Sequence, residues 1–121
     1  MKKLALIAAL SLLAIGGAQA AAKYEGATVP GTAKSNAAFF RIEVATGKVV
    51  QVWGSGTQFA PVVDSAPLPA GDYHLYPTST PAIDGSVVWT MERMDSNTGR
   101  SWLATGGGNT PLSWTPITEV K

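Results

Sequence analysis

The sequence predicts an all-β fold, a small antiparallel β-sandwich or partly open barrel of six or seven short strands. Three observations carry that expectation. Prolines at Pro30, Pro61, Pro67, Pro69, Pro77, Pro81, Pro111 and Pro116 punctuate the chain, and each costs a helix interior about 3 kcal/mol. Apolar and polar residues alternate with a period of two in several runs, the mark of a half-buried strand. Turn signals recur every 8–12 residues or so, the spacing of small sandwiches and barrels.

The elements follow in chain order. Residues 1–20 read as a signal peptide: Lys2 and Lys3, an apolar run from Leu4 to Ile15, the helix-breaking pair Gly16-Gly17, then Ala18-Gln19-Ala20. A basic start, a short apolar run and an A-x-A end are its three parts. The run falls short of the roughly 20 residues a membrane span needs, so no permanent membrane anchor is expected. Cleavage is expected after Ala20, with Ala22 as the second option, which makes the chain periplasmic or secreted.

Residues 21–36 read as a flexible N-terminal arm with a short strand near Thr28, and residues 37–121 as a single β domain. Ala38 to Val44 is the first clear strand, with Phe40, Ile42 and Val44 on one face and Phe39, Arg41 and Glu43 on the other. Gly47 turns the chain into Val49–Trp53. Phe59–Val63 forms a further short strand. Tyr73–Tyr76 is expected to stop at Pro77, leaving Thr78–Pro81 as a loop. Asp84-Gly85 turns into Ser86–Met94, and Asp95–Gly99 turns back into Arg100–Ala104. Gly106-Gly107-Gly108-Asn109 is a loop, and Leu112–Thr115 is a strand that Ile117–Val120 extends past Pro116.

Composition narrows the function. Removing Lys2 and Lys3 leaves 7 basic against 8 acidic residues, a net charge of −1. No basic tract remains to attract nucleic acid. The chain has no cysteine, although disulfides are permitted outside the cytoplasm. Its mature part must therefore rest on packing alone, and it carries all four tryptophans, each able to bury roughly 150–250 Å².

Arg41 to Lys48 aligns with Arg93 to Arg100 at a constant offset of 52, and without a gap the match runs on to Gly54 against Gly106 and Gly56 against Gly108. Over these 16 positions 5 are identical. The common content is an acid, a Thr-Gly turn and a base, with acid and base placed to pair across the hairpin. Convergence of good hairpins and duplication of one half both account for it. This pattern, followed by Trp, resembles the strand-turn-strand repeat of β-propeller blades over about 16 residues twice. A propeller needs at least four blades and this chain has room for about two, so no propeller function is implied.

Candidate chemistry is sparse. His74 is the only histidine, and a nucleophilic triad through Asp72 or Asp64 lacks any Gly-x-Ser-x-Gly elbow. Zinc wants several Cys or His ligands. Asp95-Ser96-Asn97, the one polar cluster suggesting calcium, reads more simply as a hairpin loop. Glu43, Glu92, Asp95, Asp72 and Asp64 could supply paired carboxylates, yet Glu43 and Asp95 occupy equivalent repeat positions beside basic partners. Gly106-Gly107-Gly108 is no phosphate loop, since no Lys-Ser/Thr follows. No metal, no cofactor and no enzymatic activity are expected.

The tryptophans stay open. Trp89 shares a face with Val87 and Met91 and reads as core. Trp53, Trp102 and Trp114 pack in the core or, if exposed together, form a stacking platform for a sugar or flat ligand. The expected function is thus a small exported, non-catalytic binding or accessory envelope protein, with a glycan, a peptide or an envelope protein as partner. The alternative is a structural subunit that assembles through strand edges.

Overall fold

The computed structural model describes residues 21–32, 36–54, 56–107 and 110–120. The expected signal peptide, Ser55, and the Gly108-Asn109 part of the glycine loop lie outside the described residues. Eight strands form two four-stranded antiparallel sheets, with no helix among the described residues. The first sheet runs β1 (Tyr24–Val29), β2 (Ala38–Glu43), β3 (Val49–Trp53) and β4 (Ala60–Pro61). The second runs β5 (Tyr73–Pro81), β6 (Val87–Asp95), β7 (Ser101–Gly107) and β8 (Thr110–Ile117). Each strand pairs with the next, so both sheets are simple meanders.

The sheets stack rather than close. β5 lies against β1 and β2, and the chain just past β4 meets β8, where Val63 donates its N–H to Leu112 O and accepts that of Trp114. In a closed up-and-down barrel β4 would pair with β5. Here first strand faces first strand and last faces last. Val29, Phe40, Ile42, Val49 and Val62 from the first half share one core with Tyr73, Met91, Trp102, Leu112 and Trp114 from the second.

Three expectations change. There are eight strands, not six or seven. Tyr24–Val29, expected in a flexible arm, pairs along its whole length with β2. β5 does not stop at Pro77 but runs on to Pro81. Tyr73 donates its N–H outward, to Val44 O. By the alternation of antiparallel ladders Pro77, four residues on, also faces outward, where no N–H is missed. β8 continues through Pro116 for the same reason, since Trp114 directs its N–H away from β7, to Val63 O.

The hairpin repeat extends to whole sheets. The β2–β3 and β6–β7 turns share the same closing backbone bonds. Glu43 and Asp95 donate N–H to Lys48 O and Arg100 O at 2.9 Å each, and Gly47 and Gly99 return N–H to Glu43 O and Asp95 O. Both glycines have positive φ, 75° and 76°. One row of paired residues, Gly26–Arg41–Val50–Pro61, corresponds to Leu75–Arg93–Trp102–Pro116. Burial inverts between them. Arg41 lies on the outward face of its sheet, whereas Arg93 is fully buried, because its sheet presents that face to Phe40 and Ile42 of the first. The halves are stacked like successive copies, each with the same face forward.

The glycine turns yield one prediction. A Cβ on Gly47 would sit 2.7 Å from Leu68 Cδ1 and 2.9 Å from Tyr73 Cγ. Left-handed backbone costs an L-residue roughly 1–2 kcal/mol, and overpacking adds about 1–3. Gly47→Ala is expected to lower stability by at least about 2 kcal/mol in urea denaturation, the strain and the clash acting together.

Candidate functional site

The outward face of the first sheet gathers the exposed aromatic surface. Tyr24 on β1, Phe39 on β2 and Phe59 just before β4 are 51%, 37% and 44% exposed. Arg41 lies among them, its guanidinium carbon 4.9 Å from the Tyr24 ring centroid and 4.4 Å from that of Phe59. Phe39 and Phe59 are 6.2 Å apart. Gly26 makes the arrangement fit, because any Cβ there would come within 2.9 Å of the Phe39 ring. Tyr24, Arg41, Glu43, Lys48 and Val50 border a shallow hollow of about 190 Å³. No carboxylate pairs with Arg41 among the described residues. The surface offers aromatic faces and a guanidinium on its outward side, suited to a flat apolar group that carries a carboxylate.

Its buried counterpart shows what such a site looks like when filled. Arg93 donates Nη2 to Asp64 Oδ1 at 2.7 Å, and Nη1 to Asp64 Oδ2 at 3.1 Å and Gly47 O at 2.9 Å. Its guanidinium carbon sits 4.6 Å from the Trp102 centroid and 4.4 Å from that of Trp114. Tyr73 closes a third side at 5.9 Å. Burial pushes the Tyr73 hydroxyl pKa up, and that hydroxyl donates to Pro69 O.

Trp53, Trp102 and Trp114 do not come together on an exposed face. Trp102 and Trp114 are 5% and 3% exposed and pack around Arg93. Trp53 is half-buried, with its centroid 5.7 Å from that of Trp89, which in turn packs on Phe40. The residues that do form an outward aromatic surface, Tyr24, Phe39 and Phe59, carried only one signal, the repeated arginine beside them.

His74 links the sheets. Its Nδ1 is 2.6 Å from Glu25 Oε1 on β1, and its Nε2 is 2.9 Å from Asp72 Oδ1. Ser96 donates to the other Asp72 oxygen, not to the imidazole. With a carboxylate on each ring nitrogen, this is an ion-pair bridge and not a nucleophile–base pair. The hydrogen bond to Glu25 above all raises the His74 pKa above its ordinary value, and the Ser96 hydroxyl above all lowers that of Asp72. Asp95 does not pair with Arg100 across its hairpin, as expected from the repeat. Its carboxylate accepts the N–H groups of Asp72 and Asn97 and the Thr98 hydroxyl. The Asp72 N–H leads in lowering its pKa.

A pH dependence follows. The His74 contribution to stability is fully present below its unfolded value, about 6.5, and is lost as pH rises through the raised folded value. The Asp72 contribution runs the other way, present above about 3.9 and lost as pH falls through its lowered value. The bridge therefore works best between those limits. The single histidine resonance is expected to titrate above 6.5 by NMR, and His74→Ala is expected to flatten the stability profile on the alkaline side.

Fold and surface together define a two-sheet β protein with an outward arginine–aromatic face. In comparisons with known proteins, no family model, curated protein or solved structure matches the chain.

Proposed function

We propose that the chain is exported, loses residues 1–20, and works outside the cytoplasm as a non-catalytic recognition module. Its two stacked sheets are read as an open β-sandwich. What supports a recognition role is one observation: Arg41 lies between Tyr24 and Phe59 on an outward face, with no carboxylate partner among the described residues. An outward arginine held on aromatic rings is a binding element, since ordering it in advance reduces what a partner must immobilise.

Two measurements test the reading. Expressed at full length in a bacterial host, the protein is expected in the periplasm or medium with an intact mass starting at Ala21. Retention in the cytoplasm with Met1 in place would sink the export half. On arrays of glycans and peptides, binding that disappears with Arg41→Ala and survives His74→Ala supports the surface. Binding that depends on His74 and ignores Arg41 contradicts it.

A further inference from the structure

The internal repeat says what fits the outward face, because the chain already contains one filled version of it. The interface between the sheets sets the Arg93 face of the second sheet against the inner face of the first. The strand positions around Arg93 have counterparts around Arg41. Tyr73 occupies the position of Tyr24, since they pair with Asp95 and Glu43 respectively. Trp102 stands in the place of Val50 opposite the arginine. Pro116 corresponds to Pro61 in the next strand, and with that alignment Trp114 corresponds to Phe59. Extended through the following residues, it sets Phe59-Ala60-Pro61-Val62-Val63-Asp64 beside Trp114-Thr115-Pro116-Ile117-Thr118-Glu119.

That last correspondence supplies the missing carboxylate. Asp64 leaves the end of the first sheet, crosses to the second and takes both terminal nitrogens of Arg93. Glu119 occupies the same place after the second sheet. Arg41 stands ready as the acceptor site, yet Arg41 and Glu119 of one chain make no ion pair. The residues that should be covered are open. Ile117, the counterpart of buried Val62, is 49% exposed. A Cβ on Gly99 would touch nothing within 4 Å, whereas Gly47, its counterpart, is packed beneath Tyr73. Apolar exposure falls on both free faces, Tyr24, Phe39 and Phe59 on one, Tyr76, Val88 and Ile117 on the other.

We propose that a second copy of this chain docks head-to-tail on the Tyr24–Arg41–Phe59 face, its Glu119 pairing with Arg41. The donor copy's Gly99 carbonyl takes the place that Gly47 O holds on Arg93, and its Thr118 backbone extends the acceptor's first sheet beside Phe59, as Val63 does beside Trp114. Such an interface is heterologous, with different surfaces on the two copies, and repeating it builds a ring where the rotation closes and an open filament where it does not. Rings of stacked four-stranded sheets hold roughly 4–8 of them, which with two per chain means about two to four copies. This rests on the reading that the Arg41 face is the working surface, and names its partner.

The test is sedimentation velocity with native mass spectrometry on protein purified from cells expressing the full chain. A discrete species of two to four copies is expected. Arg41→Glu and Glu119→Arg are each expected to reduce it to monomer, and the two together in one chain to restore it. Arg41 points outward, so both variants keep the wild-type circular dichroism. A wild-type monomer at all concentrations up to about 200 μM, far above a micromolar Kd, overturns the proposal. So does a multimer that survives either charge reversal made alone. A monomer that still binds a glycan or peptide through Arg41 would overturn self-docking and leave the recognition role standing.

Discussion

Arg93→Ala is expected to remove about 3 kcal/mol or more of folding stability, near the lower end of the roughly 3–5 kcal/mol typical for breaking a buried ion pair. The guanidinium is fully buried and holds Asp64 through both terminal nitrogens. Removing it leaves a carboxylate that is 23% exposed, so water repays part of the loss, and this sets the estimate low in the range. Three aromatic rings also lose the group they pack on. A domain of this size has about 5–15 kcal/mol in total, so the variant should unfold at far lower urea. Arg93→Lys keeps the charge but not the planar fork and should fall between. Arg41→Ala, measured at a dilution where the chain is monomeric, should cost no more than about 1 kcal/mol, the worth of an exposed cation–π contact. Equal losses at the two arginines would contradict the opposite burial of the two faces.

Trp114→Ala is expected to cost about 3–5 kcal/mol, the usual range for deleting a buried tryptophan. Trp114 covers Arg93 on one side and is 3% exposed. Its Nε1 is buried without a hydrogen-bond partner, so truncation sacrifices packing and no side-chain hydrogen bond. Trp114→Phe should therefore recover most of the loss. Phe59→Ala, at the equivalent place on the open face, should be far milder in the monomer. A Trp114→Ala variant within about 1 kcal/mol of wild type would mean the ring is not core, since even smaller apolar truncations exceed that.

Much of the local structure was legible in the sequence. Alternation grouped Phe40, Ile42 and Val44 on one face, which the structure buries, and Thr-Gly marked the two equivalent hairpin turns, each with a positive-φ glycine. β3 was read at its observed limits. Pro77 misled, because proline ends a strand only where its missing N–H faces a partner, and which edge is free depends on the neighbouring sheet. The tryptophans could not be placed for the same reason. Period two says that Trp102 and Leu103 lie on opposite faces, but not which face the other sheet covers. Arg41 and Arg93 state the limit most clearly. They occupy the same repeat position, and only the order of stacking puts one in solvent and the other in the core. The repeat itself was longer than a gapless comparison could find, because its spacing drifts. Tyr24 matches Tyr73 at 49, Arg41 matches Arg93 at 52, and Pro61 matches Pro116 at 55.

The natural absence of cysteine permits a direct test of head-to-tail docking. Gln58→Cys and Thr118→Cys, the counterparts of the bridged Ser113 and Val63, are placed together in one chain that keeps Arg41 and Glu119 and treated with a short bis-maleimide cross-linker. The expected product is a ladder of covalent multimers ending at two to four copies, with neither single variant cross-linking to itself. Cross-linked dimers from Gln58→Cys alone would mean that two first sheets meet face to face, and unlinked monomer from the double variant would mean that the arginine–aromatic face does not receive a second copy.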